Sequence, residues 1–391
     1  MHSPALNSAI LLSPVENGYV AYDTASDRLH ELNPIAALIV ELCNGTRSVE
    51  EIRDIVKPLL PEGIDTEVDR WINQGIEAGL LTWSNGSPAE HRELSAQELA
   101  KLAKRLRGQG KIQTAYICLR RATELTPDNS DFWWYLGDLA QGLGQRDEAR
   151  AHYERYLELE PDDAEIKHIV VALRDEPPPP RVPNECIRQI YEAFSAHFDK
   201  QLCEELSYRG PERIQELVES TIGTDRPVGV LELGCGTGLA GVRMKPRASS
   251  LTGVDLSPEM IALAKNRNIY DRLEVAEITE WLGLSQERFD LIMACDCLIY
   301  FGDLRQVIVP AAKRLNLDGV LAFTLERGDR YPFHLTDTGR YAHHPQHVSE
   351  VAAEAGLSVA RLEEGYLRME YGAEVTGLFA ALKNDSQASP R

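Results

Sequence analysis

No apolar run in the chain approaches the ~18 residues of a membrane-spanning helix, which excludes that kind of anchor. A basic stretch followed by an apolar core is missing from Met1 to Asn7, so no secretory signal is expected. Positive charge is short: 41 Lys and Arg stand against 61 Asp and Glu, a net of −20. That balance opposes a duplex nucleic-acid substrate, which requires a basic face. Cysteine follows no framework. The seven thiols (Cys43, Cys118, Cys186, Cys203, Cys235, Cys295 and Cys297) are odd in number and irregularly spaced. Such a set predicts reduced thiols in a cytoplasmic protein, with Cys295-x-Cys297 structural or pocket-lining rather than metal-binding. Apolar residues are plentiful at 43%, and 391 residues allow two or three domains.

The most informative stretch is Val228-Gly-Val-Leu-Glu-Leu-Gly-Cys-Gly-Thr-Gly238, followed by Leu251-Thr-Gly-Val-Asp-Leu-Ser257. Val228 to Leu233 reads as a buried strand that breaks into Gly234, Gly236 and Gly238. Glycines there let the backbone turn sharply and leave room for a ligand against the main chain. Asp255 ends the next strand, 21 residues after Gly234, where a carboxylate binds two ribose hydroxyls. A dinucleotide site uses G-x-G-x-x-G to aim a helix N-terminus at a pyrophosphate. This chain has E-x-G-x-G-x-G instead.

That pattern resembles motif I of the class I S-adenosyl-L-methionine (SAM) methyltransferases. Their cofactor carries a sulfonium cation and no phosphate, so Glu232 is tolerable beside the loop. Further segments fall in the order the resemblance requires. Leu273 to Ile278 reads as a third strand, with Glu277 and Ile278 placed by the resemblance near adenine. Phe289 to Asp296 reads as a fourth, with Asp296 beside the pocket, and Asp318 to Glu326 as a fifth. Helical patterns (Pro258 to Asn266, Leu304 to Leu315) separate them. Such alternation predicts a parallel, doubly wound sheet with ligands at the carboxyl ends of its strands. The family adds an antiparallel pair, expected at Ser358 to Leu367 and Val375 to Lys383, giving a Rossmann-like α/β domain of seven strands over 184–391. The implied cofactor residues are Glu232, Gly234, Gly236, Gly238, Asp255, Leu256, Glu277, Ile278 and Asp296.

Two linkers cut the rest of the chain. Ser84 to Glu90 is polar and turn-rich, and Arg174 to Pro183 is proline-dense and therefore stiff. Between them, over 95–174, a shift of 34 residues aligns Gly110 with Gly144, Ala115 with Ala149, Ala122 with Tyr156 and Pro127 with Pro161. With Trp133-x-x-Leu136-Gly137 and Tyr153, this matches the tetratricopeptide (TPR) pattern of α-helical hairpins, whose small residues let paired helices approach. Two copies and a partial third helix (Ala164 to Leu173) act either as a rigid spacer or as a groove for a protein partner.

Residues 1–84 combine short strand-like runs (Ala9 to Leu12, Tyr19 to Asp23, Arg28 to Leu32) with three helical patterns (Pro34 to Cys43, Val49 to Leu60, Thr66 to Ala78) and a last strand at Leu80 to Trp83. Asn33 before Pro34, and Ser48 with Glu51, are helix-start signals. The order is that of a winged-helix-like α+β domain. With His30 to Val40 and Trp71 to Leu81 it resembles the precursor-peptide chaperone of pyrroloquinoline quinone biosynthesis, the type of a RiPP recognition element. The resemblance implies binding of a precursor-peptide leader along Arg28 to Leu32 and Thr66 to Ala78. DNA binding is the rival for such a fold, but five Lys and Arg against fourteen Asp and Glu in residues 1–90 would repel phosphates. A peptide needs only a strand edge and an apolar groove.

From about residue 96 onward the chain resembles TPR-containing methyltransferases, whose aromatic cap folds over the methionine end of SAM. Tyr191, Phe198 and Tyr208 are the lid residues implied. For the acceptor, the Asn/Asp-Pro-Pro-Tyr loop of amide and exocyclic-amine methyltransferases is missing after the fourth strand, where Cys295-Asp-Cys-Leu-Ile-Tyr300 stands. Position after the fourth and fifth strands nominates Asp296, Tyr300, Tyr341 and His343 as catalytic, the last two in a loop before a helix. A metal reading of His343, His344 and His347 lacks carboxylate or cysteine partners, so no metal is expected. A small-molecule or folded-protein acceptor remains the alternative to a precursor peptide.

Overall fold

The computed structural model of the chain describes residues 3–15, 18–57, 67–84, 95–174, 177–194, 207–223 and 226–385. It divides into two compact units, Met1–Glu160 and Pro161–Arg391. Among the described residues no helix is long and apolar enough to cross a membrane.

The first unit begins with β1 (Ser3–Leu6), β2 (Ile10–Val15), β3 (Gly18–Asp23) and β4 (Arg28–Leu32), then α1 (Pro34–Leu42), α2 (Val49–Val56), α3 (Glu67–Glu77) and β5 (Leu81–Ser84). The helix starts form as their sequences dictate. Asn33 accepts from the Ala36 amide, and Ser48 and Glu51 close a reciprocal capping box. Gly79, at φ 77°, ends the third helix. β1 has no counterpart in the sequence reading. It pairs antiparallel with β5, giving that last strand its partner. β2, β3 and β4 form a separate antiparallel sheet in that order, so β2 and β4 are its edges among the described residues. Ile10, Ala21, Leu32, Ile39, Ile52, Val68 and Ile72 belong to one core with the three helices.

The TPR hairpins follow as α4 (Ala96–Gly108), α5 (Ile112–Leu125), α6 (Ser130–Gly142) and α7 (Arg146–Leu159). Their periodicity has a direct structural reading. Gly110 and Gly144 take left-handed turns at φ 76° and 72°, and Ala115 and Ala149 are fully buried. A Cβ at Gly137 would meet the Tyr153 ring at 2.6 Å, so only glycine lets these helices approach so closely. The first hairpin packs on the edge of the small sheet, where Arg120 donates to the Leu12 carbonyl at 3.0 Å and Lys111 pairs with Asp27.

The second unit starts with α8 (Ala164–Leu173), the helix expected to be a partial third repeat. Its Ala164 and Ala172 pack in the core of the sheet domain, and His168 bonds the Gly339 carbonyl at 2.9 Å. Next come α9 (Asn184–Phe194), α10 (Gly210–Ile222), β6 (Val228–Leu233), α11 (Leu239–Met244), β7 (Ala248–Asp255), α12 (Pro258–Asn266), β8 (Arg272–Val275) and α13 (Ile278–Leu284). β9 (Phe289–Ala294), α14 (Arg305–Ala312), β10 (Leu315–Arg327), β11 (Phe333–Leu335), β12 (Tyr341–His343), α15 (Pro345–Glu354), β13 (Ser358–Glu370) and β14 (Ala373–Lys383) complete it. The strands run β8-β7-β6-β9-β10 in parallel, then β14 and β13 antiparallel.

This order reverses between β6 and β9, and the crevice at such a switch point is where open α/β sheets bind ligands. The expected seven strands are present, and the described sheet has nine, because the β11–β12 hairpin joins β10 at Glu326 and Arg327. Two local expectations shift. The third strand stops at Val275 and Glu277 caps the following helix instead of ending a strand. Tyr341 to His343, expected in a loop, is itself a strand.

Candidate active site

The crevice beyond β6, β7 and β9 opens into a pocket lined by Tyr191, Tyr208, Glu232, Gly234, Gly236, Asp255, Leu256, Glu277, Ile278, Asp296 and Tyr300, with Arg181, Cys297 and Arg340 beside them. The loop after β6 makes it possible. Gly234, Gly236 and Gly238 sit at φ 63°, 54° and 92°, a region that residues with a Cβ rarely enter. A Cβ on Gly234 would also lie 2.4 Å from the Cys297 sulfur. Gly238 does not line the pocket; it is the residue from which α11 starts.

Asp255, nine-tenths buried at the tip of β7, accepts the Gly236 amide at 2.8 Å and the Ser257 amide at 2.9 Å. Burial pushes its carboxyl above the usual range, and those amides oppose the push. The two bonds fix both oxygens at the pocket wall, pre-oriented for a diol. Glu277 accepts from the Glu280 amide and pairs with Arg181 at 3.0 Å. Despite burial, which raises it, hydrogen bonds from Thr279 and Glu280 and the nearby Arg181 hold Glu277 below its ordinary value. Glu232 behaves in the opposite way. Burial lifts it to about 8 even though Tyr270 donates to it at 2.7 Å. Near neutrality it is therefore protonated.

At the far end, the Tyr191 and Tyr300 hydroxyls are 2.9 Å apart with their rings edge to face. The Tyr208 hydroxyl contacts the Cys295 sulfur at 3.1 Å. Asp296 has φ 55°, unusual for a residue with a side chain, and its amide donates to Thr324 at 2.8 Å. Behind it lies a residue that sequence reading missed. Arg368, on β13, is 1% exposed and contacts Asp296 at 3.4 Å, Glu326 more closely, and Glu370 at 3.5 Å. No local motif marks it; it reaches the site only through the antiparallel pair added after the parallel strands.

Two of the nominated catalytic residues point elsewhere. Tyr341 is fully buried and donates its hydroxyl to the Pro179 carbonyl. His343 is fully buried too, with Nε2 2.8 Å from the Phe301 carbonyl and 3.1 Å from that of Gly302. Burial pushes His343 down to about 4, so it is a neutral ring whose Nε2–H ties down the segment after β9. Neither lines the pocket. The correction has a simple cause: β12 turns these side chains into the packing between sheet and helix, and the preceding residue, Arg340, is the one that reaches the pocket. Phe198 lies outside the described residues.

Three families match separate stretches of the chain. Residues 230–319 match the methyltransferase-domain family, 106–173 the tetratricopeptide repeat family, and 18–81 the family of coenzyme PQQ synthesis protein D. Among curated proteins, the malonyl-[acyl-carrier protein] O-methyltransferase of Bacillus anthracis is 36% identical over 99 residues, 24% of this chain and 36% of that protein. A ubiquinone biosynthesis O-methyltransferase of Coxiella burnetii is 29% identical over 146 residues, 33% of this chain and 62% of that protein. The chain thus spans between about a third and two thirds of the length of these relatives. Among solved structures, the 1,6-didemethyltoxoflavin-N1-methyltransferase of Burkholderia thailandensis with S-adenosylhomocysteine is 18% identical, with a TM-score of 0.43, over 55% of this chain and 94% of that one.

Proposed function

We propose that this chain is a SAM-dependent methyltransferase that modifies a ribosomally made precursor peptide, recruited through residues 1–84. The cofactor assignment rests on one arrangement: Asp255 locked by the glycine-loop amides, with Glu277 across the pocket and a Tyr191–Tyr208 aromatic wall over it. The residues suit the group. Asp255 would take the ribose diol, Glu277 and Ile278 the adenine edge, and the tyrosine faces the sulfonium. Bound SAM supplies an activated methyl carbon. The chain supplies orientation, exclusion of water and a carboxylate, Asp296, at the acceptor end. Free thiols such as Cys43, Cys118 and Cys186 fit a cytoplasmic setting.

Peptide recruitment is supported by the difference between the two edges of the small sheet. The contact of Arg120 with the Leu12 carbonyl shows that Ile10, Leu12 and Pro14 direct their backbone groups away from β3. That edge is blunted: the Ile10 amide bonds the Asn7 carbonyl at 2.9 Å, Pro14 has no N–H, and Arg120 occupies Leu12. Following the same register across β3, Leu29 and Glu31 of β4 face outward, both exposed and without a backbone partner on that side among the described residues. An extended peptide adds to such an edge through main-chain hydrogen bonds. Tethering then raises the local concentration of the core segment, so the methylation pocket need not be selective.

Glu31→Pro in the full chain removes one outward N–H and spares the bonds to β3. It should leave SAM affinity unchanged and slow methylation of a co-purifying precursor, detected as a gain of ~14 Da, by about tenfold. Equal rates for both proteins would overturn leader binding. They would favour a second reading, a small-molecule or carrier-bound acceptor, toward which the names of the two curated relatives point.

A further inference from the structure

The acceptor end of the pocket is backed by a buried charge cluster that the cofactor does not require. Asp296 and Arg340 line the pocket, while Arg368, Glu326 and Glu370 lie behind. Arg340 is engaged by Glu370, and Arg368 spans Glu326, Asp296 and Glu370. Three carboxylates therefore face two guanidiniums. Glu370 stays below its ordinary value although it is buried, because Arg340 and Arg368 outweigh desolvation. Both guanidiniums are already committed to carboxylates. Of the three acids, Asp296 has the side chain that lines the pocket, 19% exposed there, and its closest cation is 3.4 Å away. Its left-handed backbone, pinned by the bond to Thr324, holds the carboxylate in that position.

We propose that the methyl acceptor enters as an N–H or O–H donor to Asp296, that Arg368 is the positioning residue for that carboxylate, and that carboxylate acceptors are rejected. The proposal rests on the cofactor reading above. A carboxylate would add a fourth anion to a site whose cations are spoken for, and like charges at such distances repel strongly where water is excluded. An amine, guanidine or hydroxyl instead satisfies Asp296. In the transfer, the acceptor nitrogen or oxygen bonds to the methyl carbon as the sulfur–methyl bond breaks. The electron pair of that bond stays on sulfur, leaving a neutral thioether. The acceptor's proton passes to Asp296 and then to water.

Two cofactor-site probes test the carboxylate without the natural acceptor. S-adenosylhomocysteine lacks the methyl group; sinefungin carries an ammonium at that place. By calorimetry at pH 7, the wild-type protein should bind sinefungin about tenfold more tightly than S-adenosylhomocysteine, the scale of one charge-assisted hydrogen bond. Asp296→Asn should bring the two affinities together. Arg368→Gln should shrink the ratio and Arg368→Lys should restore most of it, a rescue that a purely structural role would not show in a ratio. With S-adenosylhomocysteine bound, propylamine should compete for the acceptor end by ligand-observed NMR and propionate should not. A wild-type ratio near one, a ratio unchanged in Asp296→Asn, or preferred binding of propionate would overturn the proposal. Should Arg368→Gln fail to fold, Asp296→Asn and Arg368→Lys still decide it. No S-adenosylhomocysteine binding by folded wild-type protein would instead sink the cofactor reading beneath it.

Discussion

The two halves of the pocket, which the proposed reading gives to cofactor and acceptor, are built from different materials. The cofactor half is made by backbone: a glycine loop, the strand end carrying Asp255 and the helix cap Glu277, whose carboxylates are fixed by amides within 2.9 Å. The acceptor half is made by side chains from distant segments, with Asp296 from the turn after β9, Arg340 from the residue before β12, and Arg368 from β13. Backbone geometry serves a ligand that never changes, and side chains can be exchanged when the acceptor does. Damage should differ accordingly: a change in the first half removes the cofactor, whereas a change in the second alters what is methylated.

The largest expected effect tests the first half. Asp255→Ala removes the acceptor of the ribose hydroxyls and frees the Gly236 amide, and should cost about 1.5–3 kcal/mol of SAM binding by calorimetry. Unchanged affinity in the folded variant would dissolve the distinction between the halves.

A smaller effect separates packing from chemistry near the second half. Tyr341→Phe leaves the Pro179 carbonyl without its buried donor, so thermal unfolding should show a loss of about 1–3 kcal/mol. SAM affinity should not move. A fall in turnover with stability intact would return Tyr341 to the catalytic set.

A pH-dependent effect belongs to Glu232. Its folded pKa of about 8 lies above that of an unfolded glutamate. The folded state therefore binds the extra proton, and the carboxyl's contribution to stability is complete at acid pH and fades as pH rises toward 8. Glu232→Gln keeps the acceptor oxygen for Tyr270 and should match wild type only at about pH 4 and below, becoming the more stable of the two as pH rises and holding that lead at about pH 9. Parallel stability curves would show that Glu232 is ionised when folded.

The same contrast explains what could be read without coordinates. Gly234, Gly236 and Asp255 are legible because a turn that only glycine can make, and a carboxylate at a strand tip, leave local signatures. The TPR hairpins are legible for a similar reason, since the left-handed turns at Gly110 and Gly144 and the buried Ala115 and Ala149 recur at one spacing. The partners of Asp296 are not legible in this way. Arg368 is separated from it by 72 residues and stands in a strand without local punctuation. Tyr341 and His343 misled for the complementary reason: a polar run reads as a pocket loop, whereas hydrogen bonds to Pro179, Phe301 and Gly302 let those groups be buried in packing. β1 was equally hidden, since four residues with mixed burial carry no period that distinguishes a strand from a tail.

The open edge of β4 sets a time scale. Two outward residues, Leu29 and Glu31, offer at most four main-chain bonds, about 4 kcal/mol at ~1 kcal/mol each, which corresponds to a dissociation constant of about 1 mM. Any tighter grip has to come from side chains that read the guest strand. With association at about 10⁵–10⁷ M⁻¹s⁻¹, a millimolar strand leaves within about 10 milliseconds. On the proposed reading of a peptide substrate, the edge would be a dock for rapid exchange, from which each finished peptide could leave before the next arrives.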